Sequence, residues 1–349
     1  MRNLKVLLFD IIVLFVSCSA LAVTDAKLKQ VAMIDLPGDP GFSHVAVANG
    51  QVVITRPENN TVEIFSPVKR RVVARISQID NPRGIAVNDA GGRVYIAMAG
   101  SNRIAVVRTS DWQVEKLISV LHTPEKLLWV AETKSLYVSS VRDRVLSVVD
   151  PEGGVEKATV EVNALPQDMI YDPRRHQLLV SLQDLNQVVA LDFANTSRPN
   201  KIVETFKLAA SEPTGIVLDE GRRRLYVAVR YAVLVLNADN GSELARIGAP
   251  GGTDTLVLDS ADNLLYAAAG DGIVLAIDLA RNKIDHELPT DVKGFSIAYD
   301  PSHKMLFFPG GREGRSKLVI LRPVGIAAEP NAPQNAAGPA TAPQTAMKK

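Results

Sequence analysis

Apolar and polar positions follow one another along this chain in short runs, and the runs recur with a period of about 40 residues. Each unit opens on a run such as PRGIAVN from Pro82, PEKLLWV from Pro124, PQDMIYD from Pro166, PTGIVLD from Pro213, TDTLVLD from Thr253 or GFSIAYD from Gly294. A turn and a second apolar run follow, as in VYIA, LYVS, LLVS, LYVA, LYAA and LFFP. A third run, such as TVEIFS, RIAVVRT or IVLAIDL, leads through a second turn to a more polar fourth, such as VVARISQI, QVEKLISV or KIVETFKL. The inner runs are apolar at nearly every position, the pattern of strands covered on both faces. The fourth runs alternate with charges, as at a wet rim. The first unit, FSHVAVANGQVVIT, places Asn49-Gly50 between two apolar runs, a strong hairpin signal. Seven such units predict an all-β chain: a seven-bladed β-propeller of four-stranded antiparallel blades.

The seventh unit lacks its fourth run. After Arg322-Pro323 the sequence turns to Pro, Ala and Gln with little charge and no period. Such a stretch buries too little apolar surface to order itself, so residues 326–349 are expected to be a disordered tail. The missing strand is found at the other end. LKQVAMIDLP, residues 28–37, has the pattern of a fourth strand, and is expected to pair with residues 317–321 and close the ring. The propeller is thus expected over 23–325.

Residues 1–22 have the layout of a secretory leader. Arg2 and Lys5 begin it, an apolar stretch from Val6 to Val16 carries Asp10, and Ala20-Leu21-Ala22 supplies a small-residue cleavage site. The apolar run is short for a membrane span, and no transmembrane segment is expected. Cys18 offers a second course, cleavage before a lipid-anchored cysteine. It is the only cysteine of the chain. A mature protein starting at Val23 therefore has no disulfide, no thiol chemistry and no thiolate-bound metal. Secretion without disulfides points to the periplasm or surroundings of a bacterial cell. The chain's 39 basic and 38 acidic residues give a net charge of +1, a balance that argues against a nucleic-acid partner.

PTGIVLDEGRRRLYVA and PRGIAVNDAGGRVYIA, with the later halves LNADNGSEL and IDLARNKI, resemble the bacterial YVTN-type β-propeller repeat. The likeness spans residues 28–323. The family's Asn after Tyr-Val-Thr is missing: Tyr137-Val138-Ser139-Ser140 and Tyr226-Val227-Ala228-Val229 stand in its place. The resemblance implies a secreted or periplasmic propeller that binds or scaffolds, more than an enzyme. The alternative is a metal-dependent lactonase or related hydrolase of the gluconolactonase-like propeller type, whose metal sits on the central axis.

Sites on such a fold usually lie where the loops leading into the innermost strands meet the loops between second and third strands. Arginine recurs at nearly one offset in the latter loops, as Arg56, Arg142, Arg230 and Arg312. With Arg83 and Lys126 from the lead-in loops, these form a candidate site for a small anionic ligand, since guanidinium groups grip carboxylate or phosphate with paired hydrogen bonds. The competing expectation is that each arginine pairs locally, as Asp143 and Glu313 beside two of them suggest. A protein partner at the same face is the other form of the binding expectation. No cofactor is expected. Under the hydrolase alternative, one divalent metal ion is held by His44, Glu125, Asp168 and Asp254, an imidazole and three hard oxygen donors from four blades.

Overall fold

The structure, a computed structural model, describes residues 26–192 and 201–325. The expected leader over 1–22, Cys18 and the tail over 326–349 lie outside them. Among the described residues, no helix is long and apolar enough to cross a membrane.

The described residues form seven four-stranded antiparallel sheets, the blades of a propeller. Blade 1 runs from the channel outward through Val45–Ala48, Gln51–Arg56, Thr61–Ser66 and Arg71–Ser77. The innermost strands of blades 2 to 7 are Pro82–Asn88, Lys126–Val130, Pro166–Asp172, Ile216–Asp219, Thr253–Asp259 and Ala298–Asp300. Asn49 and Gly50 both adopt positive φ, 47° and 67°, as a two-residue hairpin turn requires.

The apolar runs do their packing between blades. Seven separate clusters of buried side chains occur, and each is shared by two neighbours around the ring. The cluster between blades 2 and 3, for instance, joins Tyr95, Ile104 and Val106 to Leu127, Leu136 and Val138. A blade therefore needs both neighbours to bury its two faces.

The last sheet is completed from the start of the chain. Lys27–Leu36 pairs antiparallel with Arg315–Val324, with Leu36 opposite Ser316 and Lys27 opposite Val324. Its register shifts by one residue at Val31, where Gln30 faces Leu321 and Ala32 faces Ile320. Every other fourth strand shifts at the same step of its third strand, as at Ile64/Phe65 in blade 1 and Ala276/Ile277 in blade 6. The closing strand is thus a fourth strand in detail as well as in place. The extra residue also has a use. Leu28 and Leu36 are an even number apart and would otherwise face the same way. With the shift, Leu28 enters the core between blades 6 and 7, and Leu36 the core between blades 7 and 1. His286, which from sequence reads as a solvated rim residue, helps seat this strand: its Nδ1 accepts the Leu28 N–H at 3.0 Å.

The turns on the face away from the lead-in loops are built alike. Asp172, Asp219, Asp259 and Asp300 end their innermost strands, are buried, and accept backbone N–H groups of the following turn. This explains the recurrent Asp of the first run: a short acceptor closes the turn without a longer loop.

Candidate functional site

Two residues precede the first core-facing position of every innermost strand, and these fourteen residues surround the channel mouth. In blade order they are Ser43-His44, Arg83-Gly84, Glu125-Lys126, Gln167-Asp168, Thr214-Gly215, Asp254-Thr255 and Phe295-Ser296. Hydrogen bonds stitch them from blade to blade. Gly84 donates to the Glu125 carbonyl at 2.7 Å and Gly215 to the Asp254 carbonyl at 3.1 Å. Hydroxyls of the second strands reach the next blade: Thr55 to the Arg83 carbonyl at 2.8 Å, Ser139 to that of Gln167 at 3.2 Å, and Ser181 to that of Thr214 at 2.5 Å. The two glycines are required by this closeness. A Cβ on Gly84 would lie 2.4 Å from the Glu125 oxygen, and one on Gly215 2.0 Å from the Asp254 oxygen. The frame that carries the side chains is therefore rigid.

Five of the fourteen residues are charged and half-buried. Arg83 comes from blade 2, Glu125 and Lys126 from blade 3, and Asp168 and Asp254 from blades 4 and 6. The Lys126 charge is felt at both His44 and Asp254, which stand on other sides of the ring. Among the described residues, neither hydrogen bonds nor ion pairs engage the side chains of Arg83, Lys126 and Asp254. Asp168 is partly occupied, its carboxylate accepting the N–H groups of Met169 at 3.0 Å and Ile216 at 3.3 Å. Burial pushes the Asp254 carboxyl above the usual carboxylate range; Asp168 adds to this and Lys126 opposes it.

His44 is the neutral member. Burial, then the cations Lys126 and Arg83, hold its pKa well below the ordinary 6.5, with the Arg83 carbonyl pulling weakly the other way. Its Nδ1 is 2.9 Å from the Ser43 hydroxyl, while Nε2 is buried with no hydrogen-bond partner. Phe295 stands edge-on to the imidazole at 6.4 Å and lies 5.7 Å from Phe42, giving the mouth an aromatic wall. The unfolded chain takes up the His44 proton near pH 6.5 and the folded chain does not, so stability falls as pH drops below about 6.5. The slope approaches about 1.4 kcal/mol per pH unit until the folded pKa is reached. Denaturant melts between pH 8 and pH 5 check this. His44→Gln should flatten that part of the slope, and equal slopes in the two proteins would refute it.

The second-to-third-strand arginines differ in their surroundings. Arg56 is fully buried, not facing a ligand space. Its guanidinium donates to the carbonyls of Pro37, Asp39 and Gly41 and to the Ser316 hydroxyl, so it ties down the link between the closing strand and blade 1. Arg230 is exposed, 3.3 Å from the Glu212 carboxylate and over the Tyr231 ring. Arg312 lies 3.7 Å from Glu313. Arg142 is exposed, and the adjacent Asp143 accepts the Thr123 N–H at 2.8 Å instead. Of the six cations expected at the mouth, Arg83 and Lys126 occupy lead-in positions, and Arg56 is buried in a seam.

The metal set is not assembled either. Among the described residues, no three His, Cys, Asp or Glu side chains come together as a metal-binding group. The donors also do not suit a divalent cation, because Arg83 and Lys126 stand among them and would repel it.

An NHL repeat model matches residues 80–107, which lie in blade 2. No curated protein matches the sequence. Among solved structures, 1717 chains match, so the fold is widely shared. One of them, described as Kuenenia stuttgartiensis hydrazine synthase, superposes with a TM-score of 0.73 at 16% identity, covering 83% of this chain and 97% of that chain. The fold, a β-propeller, is what these likenesses establish, with one NHL-like repeat in blade 2.

Proposed function

We propose that this protein is an exported binding module whose channel mouth holds a small ligand bearing a carboxylate or phosphate. The observation that carries the reading is the pair Arg83 and Lys126: two half-buried cations from adjacent blades, with no ion pair among the described residues. A desolvated charge without a partner is costly to the fold, and such groups gather where a ligand supplies the partner. The leader-like residues 1–22 and the resemblance to secreted repeat propellers support export.

Titration calorimetry with inorganic phosphate and with a short dicarboxylate tests the reading. Each charge-assisted hydrogen bond contributes about 1.5–3 kcal/mol, so Lys126→Ala should weaken binding by about 10-fold or more. Binding should also weaken as salt rises, since part of the attraction is screened. Affinity unchanged by Lys126→Ala and Arg83→Ala together would overturn the assignment of the mouth as the anion site.

A further inference from the structure

We infer that the ligand of the channel mouth is a zwitterion, a small molecule carrying an anionic group and an ammonium or guanidinium group. The inference rests on the reading of the mouth as the binding site and concerns what fills it. The ring carries both signs of charge. Its cations, Arg83 and Lys126, sit on the neighbouring blades 2 and 3. Its carboxylates, Glu125, Asp168 and Asp254, sit on blades 3, 4 and 6, with the uncharged Thr214 on blade 5. The remaining arc is closed by His44, Phe295 and Phe42.

Lys126 and Asp254 stand on different blades of the ring and form no ion pair with each other. The opposite charges are thus left for a third group rather than neutralising each other. A plain anion gains from Arg83 and Lys126 but is repelled by Glu125, Asp168 and Asp254. A plain cation meets the reverse. A molecule with both charges satisfies both sets, and repulsion of singly charged competitors becomes a source of selectivity. Phe295 and Phe42 offer an apolar surface for the carbon chain that links the two charges. The unpartnered Nε2 of His44 offers one further hydrogen bond beside them.

The test uses the protein processed as it is exported and three matched probe series: ω-amino acids of increasing chain length, alkyl carboxylates, and alkylamines. Affinities are measured by calorimetry at low salt. At one chain length the amino acid should bind at least 10-fold more tightly than the carboxylate or amine of equal length. Asp254→Asn should erase that advantage while leaving carboxylate binding equal or stronger. Its thermal melt should match or exceed that of the unsubstituted protein, because the amide spares the buried carboxylate, so a folding failure is recognised directly. Lys126→Ala should weaken carboxylates and amino acids alike. If carboxylates bind as tightly as amino acids, or Asp254→Asn affects both series equally, the zwitterion inference fails and the anion site stands. If no probe of any series binds, the mouth is not a small-ligand site and both readings fall.

Discussion

A protein that starts at Pro37, without Lys27–Leu36, is expected to lose the cooperative unfolding of the intact ring or to melt at least about 10 °C lower. The removed segment contributes Ala26 and Leu28 to one inter-blade core and Leu36 to the next. Leu28 and Leu36 are each 4% exposed. Burying two leucines to that degree contributes about 3–6 kcal/mol, a large part of a total stability of about 5–15 kcal/mol. Its loss also exposes the backbone of Arg315–Val324 as an open edge, which invites association. Calorimetric scans and light scattering of the two proteins decide the matter. A truncated protein that melts with the intact one, without aggregating, would show that closure is dispensable.

Replacing Arg56 should be nearly as damaging. Arg56→Ala deprives the carbonyls of Pro37, Asp39 and Gly41 of their donor and leaves a void beside Glu63, which is itself 1% exposed. Arg75, 2.8 Å from Glu63, retains part of that carboxylate's compensation. The expected cost is about 3–5 kcal/mol, the range found when one partner of a buried charged network is removed. Arg56→Lys should recover little, because an ammonium cannot copy a planar fork that serves several acceptors in different directions. Urea unfolding midpoints measure both variants. A loss below about 1 kcal/mol in Arg56→Ala would mean that water replaces the guanidinium without penalty, and the bracing role would be wrong.

Arg56 also shows where sequence reasoning stops. Blade number, strand order and the closing strand were legible because they rest on local period and on the imbalance of a missing fourth strand. The same register made Arg56, Arg142, Arg230 and Arg312 look equivalent. Register alone does not say whether a side chain turns toward the axis, over a neighbouring loop or into a seam. For Arg56 the seam is made by the carbonyls of Pro37, Asp39 and Gly41, whereas Arg230, beside the equally long link 208–215, stays exposed. The lead-in positions were legible as positions, and Arg83 and Lys126 were recognised there. Asp168 and Asp254 were counted as metal donors because the sequence does not show that the cations share their space. His286 looked inert since its partner, the Leu28 N–H, lies at the far end of the chain.

The closing strand sets the timetable of synthesis. Lys27–Leu36 emerges from the ribosome before the other described strands, yet Val324 and its neighbours, which it must pair with, emerge after all of them. At 5–20 residues per second the wait is on the order of 15–60 s. During it the nascent chain carries an unpaired strand containing Val31, Met33 and Ile34. Lys27, Lys29 and Asp35 punctuate that strand with charge, the usual guard against wrong partners. Six blades are therefore assembled as an open arc, and the ring becomes a ring only when the final hairpin arrives.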